Sequence, residues 1–241
     1  EDFVAIYQLY LNRSWLPKKV LIGIDPWIFN DNNNQFRWNS LKAEYQAYYG
    51  KPFKNHINWN KLTQLVSPSY FQESVKILFG GKNKLKSVET AYNEFDTKLT
   101  DGSRMLGRVK NERSIKEVDE IVNEKKAQNF YSIERFSSIS KLKKDEFISL
   151  TNHMIQQEIE LYFYLPPYHP SFFSSIKKDY QNVLQVEREI RAYAESNGIT
   201  VFGSYDPKNC GVQESSFRDE MHMNNSGTND ILYNNKNILF H

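Results

Sequence analysis

Three short apolar runs, each introduced by a helical pattern and stopped by a polar turn, constrain this chain more than any other feature. They are Val20-Leu21-Ile22-Gly23-Ile24-Asp25, Ile159-Glu160-Leu161-Tyr162-Phe163-Tyr164-Leu165 and Ile199-Thr200-Val201-Phe202. A short, continuously apolar run such as the first reads as a strand buried on both faces, the kind found in parallel sheets. Ahead of it, Phe3, Ile6, Tyr7, Tyr10 and Leu11 recur at helical spacing over 2–12, and Leu16-Pro17-Lys18-Lys19 ends that helix. A second helix over 143–157, with Phe147, Leu150, Met154 and Ile155 on one face, leads to the second strand. One long helix over about 173–196 leads to the third. Its apolar face is Ile176, Tyr180, Val183, Leu184, Val186, Ile190 and Tyr193, and Asn197-Gly198 closes it as a left-handed cap. Alternation of this kind predicts an α/β fold, a mostly parallel sheet with helices on both faces.

Such sheets bind ligands beyond the carboxyl ends of their strands. Asp25-Pro26-Trp27 follows the first strand, Pro166-Pro167-Tyr168-His169-Pro170 the second, and Gly203-Ser204-Tyr205-Asp206-Pro207 the third. Farther on comes Phe217-Arg218-Asp219-Glu220-Met221-His222-Met223-Asn224-Asn225-Ser226-Gly227, which opens a short last helix. On a turn or a first helical turn, residues i and i+3 share a face. A carboxylate at Asp219 can therefore fix the imidazole tautomer of His222 and leave its far nitrogen free as a general base. Alone, this pattern reads more readily as an Asp capping a helix beside a surface His, since so short a match is weakly specific. Asp25, the Pro166–Pro170 segment and the Asp219/His222 loop, three polar features on one predicted rim, favour a site.

Residues 38–140 break the alternation. Helices are expected over 40–49 and over 59–79, the second ending at Gly80-Gly81; a turn is expected at Thr100-Asp101-Gly102-Ser103-Arg104. Residues 113–127 alternate charges with isolated aliphatics, as a solvated helix does. The stretch reads as an insertion of about 38–140 within a single domain spanning 1–241, carrying Trp38 and Trp59. The 31 basic and 29 acidic residues nearly balance, a net charge of +2 that gives no nucleic-acid footprint. A single cysteine, Cys210, excludes an internal disulfide framework and a multi-Cys metal site, and no sequence-adjacent base marks it as a nucleophile. No apolar run approaches the ~20 residues that span a bilayer.

The chain resembles the SGNH (GDSL-type) hydrolases, and within them the bacterial cell-envelope branch that includes alginate O-acetyltransferase-like proteins. The resemblance rests on Asp219-x-x-His222 with its trailing Asn224-x-x-Gly227, and on Gly23-Ile24-Asp25 where the family carries Gly-x-Asn. It covers 1–30 and 143–241. It implies a three-layer α/β/α sandwich, a serine nucleophile, no metal and no organic cofactor. Two departures stand out. The family's Gly-Asp-Ser-like block is not visible here, so the nucleophile is expected upstream of Glu1, together with any membrane anchor. Asp25 also replaces the Asn whose amide would donate to the oxyanion, so it is either held protonated or serves the loop.

The expected function is that of a serine esterase or O-acyltransferase acting on an acetyl-like ester of a carbohydrate or envelope polymer, in the periplasm or another extracytoplasmic compartment. His222 is the base and Asp219 its orienter; Gly23, Asp25 and His169 belong to the substrate or oxyanion region. Trp27, Trp38 and Trp59 could stack on sugar faces or fill the core. Ser204 and Ser103, each beside a glycine, are the serines to test if the nucleophile lies within the chain. His56, His153 and His241 read as surface, interhelical or terminal residues. A sheet position emptied by a missing first strand could be filled by a second copy, as a homo-oligomer. The rival reading is a non-catalytic binding or scaffolding module that keeps the fold.

Overall fold

The computed structural model describes residues 1–13, 15–33, 40–50, 96–98, 104–126 and 132–233. It divides into two compact units, one formed by Glu1–Lys51 with Lys110–His241 and the other by Pro52–Val109. In the second unit, Thr97–Lys98 and Arg104–Met105 pair antiparallel; the turn expected at 100–104 falls on residues outside those described, save Arg104. The separate unit is narrower than the 38–140 stretch: α2 (Lys42–Tyr48) and α3 (Ile115–Lys126) belong to the first unit. The expected helix at 59–79, Trp38, Trp59, His56, Ser103 and His241 lie outside the described residues.

The first unit is α/β. Helix α1 (Asp2–Asn12) leads to β1 (Lys19–Gly23), α4 (Lys141–Gln156) leads to β2 (Glu160–Leu165), and α5 (Pro170–Asp179) with α6 (Gln181–Ser196) leads to β3 (Thr200–Gly203). The strands form one parallel sheet in the order β1-β2-β3. Ile22 and Val201 both stand opposite Phe163, which therefore occupies the middle of the sheet. Its ring is fully buried and meets Phe147 of α4 at 5.5 Å and Tyr193 of α6 at 6.4 Å. Neighbouring Tyr162 points to the opposite face, as the period of two requires, and stacks on Phe202. Each buried aromatic contributes about 1.5–3 kcal/mol, so this cross-strand core outweighs any surface pair.

Local chemistry sets the element ends. The Ser140 hydroxyl caps α4 by accepting from the Lys143 amide. Ser114 and Glu117 close a reciprocal capping box at the start of α3. That helix is not fully solvated as its charge pattern suggests: Val118 and Val122, four residues apart, are buried. On α4, Thr151 takes the buried place expected for Ile155, which is exposed, and its hydroxyl bonds back to the Phe147 carbonyl. The expected long helix is two, because Tyr180 leaves helical geometry at φ −131, ψ 67. No described helix is long and apolar enough to cross a membrane.

Gly203 ends β3 at φ +75, and a Cβ there would lie 2.3 Å from the Leu165 carbonyl oxygen. Gly211 also has positive φ, +66, but open space around it. Gly203→Ala is therefore expected to lose more than the ~1–2 kcal/mol of the left-handed conformation alone, while Gly211→Ala loses about that amount. Urea denaturation of both variants checks this; equal losses would refute the close-approach account.

Candidate active site

Residues 217–223 form a small loop tied at its neck. Phe217 and Met223 make an antiparallel bridge, and the Arg218 amide donates to the His222 carbonyl at 3.0 Å. Arg113 Nη1 donates to the Arg218 carbonyl, and Arg218 Nε to that of Met223. Beyond the neck, the Asn224 amide donates to the Ser216 carbonyl, its Nδ2 to the Ser215 carbonyl, and its Oδ1 accepts from the Gly227 amide at 2.8 Å. Asn224 thus caps α7 (Asn225–Tyr233) while pinning the loop. Gly227 has to be small, since a Cβ would stand 2.6 Å from the Ser216 carbonyl oxygen. The Asn-x-x-Gly spacing is explained by this packing.

At the tip, Asp219 gathers its donors. Its Oδ1 accepts from the Met221 amide at 3.0 Å, the His222 amide at 2.8 Å and His222 Nδ1 at 2.9 Å; Oδ2 lies 3.1 Å from the same Nδ1. Burial alone would raise the Asp219 carboxyl, but the hydrogen bond and charge of His222 and the Met221 amide hold it below the usual carboxylate range. It is therefore ionised at neutral pH and accepts the Nδ1 proton, so in a neutral ring Nε2 is the nitrogen that carries the lone pair. The His222 side chain is 55% exposed, and no described residue hydrogen-bonds its Nε2.

Asp25 follows β1, and the Ile24 amide extends the ladder by donating to the Tyr164 carbonyl at 2.8 Å. Burial pushes the Asp25 carboxyl up, opposed by the charge of His222. The His169 amide, just past β2, donates to the Glu220 carbonyl, which ties the 217–223 loop to the carboxyl edge of the sheet, the edge at which Asp25 follows β1. Beneath them Tyr205 is fully buried, donates its hydroxyl to the Ile24 carbonyl and stacks on Tyr168. Gly23 is exposed and has open space where a side chain would stand.

Other expectations are corrected here. His169 cannot touch substrate: it is fully buried, its amide donates to the Glu220 carbonyl, and its ring meets Phe217 edge-on. It supports the loop from below. Of the two readings left open for Trp27, the core one holds: it is buried and packed on Tyr168. Ser204 is buried, and its hydroxyl accepts from the Asp206 amide and Asn209 Nδ2, so it braces a turn. The Cys210 thiol is pushed up to about 11, mainly by burial, which disfavours the thiolate. No group of three or more potential metal ligands occurs among the described residues. Glu220, whose side chain is buried beside the dyad and whose carboxyl burial raises, was not singled out from sequence; only its place between Asp219 and His222 hinted at it.

Comparison with protein-family models, curated proteins and solved structures gives no match.

Two measurements check this geometry. Nitrogen-15 NMR of neutral His222 should show a protonated Nδ1 and a bare Nε2, and Asp219→Ala should shift the ring toward the Nε2–H tautomer; an unchanged tautomer would show that Asp219 does not set it. His169 has neither ring nitrogen hydrogen-bonded, and the nearest acid, Asp119 Oδ1, is 3.9 Å from Nε2. Burial lowers its pKa, countered by Glu214 and Asp119, while Lys126 adds to the lowering. Above the ordinary histidine range the ring is neutral in both folded and unfolded chains. As pH falls through that range the unfolded chain takes up a proton that the buried ring resists, so stability is lost. His169→Phe should flatten the decline in unfolding free energy between about pH 7.5 and about pH 5; an unchanged slope would assign the acid sensitivity elsewhere.

Proposed function

We propose that this chain carries the acid–base machinery of an SGNH-type serine esterase or O-acyltransferase, built on the family's three-layer α/β/α sandwich. The observation that carries the reading is the Asp219–His222 pair, an ionised carboxylate on Nδ1 with an exposed Nε2. In the proposed reaction a serine outside the described residues attacks the acyl carbon of an ester. His222 Nε2 takes the hydroxyl proton and returns it to the leaving alkoxide, while Asp219 stabilises the imidazolium. Water or a second hydroxyl then accepts the acyl group by the same route in reverse.

Asp25 has a distinct part. Two carboxyl groups that feel the charge of one imidazole are pushed in opposite directions, Asp219 down and Asp25 up. Environments that separate two such groups assign them different work. Burial makes Asp25 the more readily protonated of the two, and only in its protonated form would it donate to a developing oxyanion as the missing amide would. The substrate class is an acetyl-like ester on a carbohydrate or other envelope polymer, which places the protein outside the cytoplasm. One observation favours the rival, a non-catalytic module: no described serine hydroxyl hydrogen-bonds His222.

Hydrolysis of p-nitrophenyl acetate by the full gene product distinguishes the two. His222→Ala is expected to lower kcat on the order of 10³-fold or more, with Asp219→Ala also strongly impaired. Absence of turnover, or turnover indifferent to His222, would leave the binding-module reading in place.

A further inference from the structure

We infer that the groove between α1, α2 and α4 is a binding site for a neutral, hydroxyl-rich chain such as an oligosaccharide. The groove has a volume of about 770 Å³ and is lined by Gln8, Tyr48, Tyr49, Asn152, His153 and Gln156, among others. It belongs to different elements from the Asp219–His222 loop, and the inference does not depend on the ester chemistry.

Its aromatic wall is built rigid. Tyr49 is 40% exposed, yet its hydroxyl is tied to Glu146 Oε1 at 3.0 Å. Tyr45 braces its ring at 5.2 Å and 67°, and Tyr48 at 5.1 Å and 86°. Tyr45 bonds the same Glu146 oxygen at 2.5 Å. His153 is itself wedged edge-on between Tyr7 and Tyr48. An exposed tyrosine fixed in this way offers a large contact face with little rotamer entropy left to lose.

The polar lining then selects the ligand. Gln8 Nε2 donates to Asn12, leaving Oε1 as an acceptor, and Asn152 Oδ1 accepts from Tyr193, leaving Nδ2 as a donor. Gln156 supplies both kinds from one side chain. Interspersed donors and acceptors match hydroxyl groups, each of which donates and accepts. Among the described residues no lysine or arginine lines the groove, which argues against a phosphate or polyanion. Asp145, the one carboxylate among the described lining residues, is paired with Lys141 at 2.5 Å, so it makes a poor anchor for a cation. A neutral sugar chain fits this lining best.

Amide NMR titration of the whole chain with cellohexaose, maltohexaose and chitohexaose tests the site, with oligogalacturonate and oligolysine as charged controls. A neutral hexasaccharide should give saturable shifts centred on 48–49 and 149–156, unchanged in His222→Ala. Tyr49→Ala should weaken binding about tenfold, and Gln156→Ala should weaken it less, both with melting curves showing the fold intact. If Tyr49→Ala unfolds, Tyr49→Leu, which keeps bulk but no ring, replaces it. No saturable shift with any neutral hexasaccharide, shifts centred on 217–223, equal binding by a charged control, or indifference to the Tyr49 ring would each overturn the inference. Since binding is read without turnover, a failure here would leave the ester reading standing, and the reverse also holds.

Discussion

Parallel pairing on both sides of β2 is the constraint from which the rest of this structure follows. With β1 and β3 each running alongside it, all three carboxyl ends fall on one edge, and every connection has to return across the sheet. Phe163 makes that arrangement favourable, because one ring at the centre of the sheet packs against two helices that arrive from different crossovers. Asp25 and Ser204 are brought to the same rim by these two ladders, although they lie far apart in sequence.

The rim becomes chemically useful only through the 217–223 loop, which owes its shape to backbone groups more than to burial. One carboxylate oxygen accepts from two amides and from an imidazole, so folding the turn and orienting the histidine are a single event. Below it, His169 and Phe217 fill the space between loop and sheet, and Asn224 locks the exit into α7. The opposed shifts of Asp219 and Asp25 arise from this difference in partners: Asp219 is buried with donors, Asp25 without an ionic partner that matches its burial.

Much of this was legible in the sequence because its signals are local. Apolar runs bounded by proline and glycine gave the strands to within two residues, and an i, i+3 pair brought Asp219 and His222 together. What escaped depends on tertiary context. Nothing in Asp179-Tyr180-Gln181 announces a helix break, and Val118 and Val122 read as isolated until a neighbouring helix covers them. His169 lay among prolines at a strand end, where substrate contact and loop support look alike; complete burial decides for support. The groove beside Tyr49 was invisible for a similar reason, since its walls come from three helices separated in the chain.

The central claim is that His222 serves as the base for a serine nucleophile, and covalent labelling of the full gene product tests it most directly. A fluorophosphonate probe, followed by mass spectrometry of the digested protein, should place one phosphonyl adduct on a serine. Labelling should be rapid in the natural protein and nearly abolished in His222→Ala at equal folded content. No serine adduct, or an adduct formed equally fast without His222, would contradict the account.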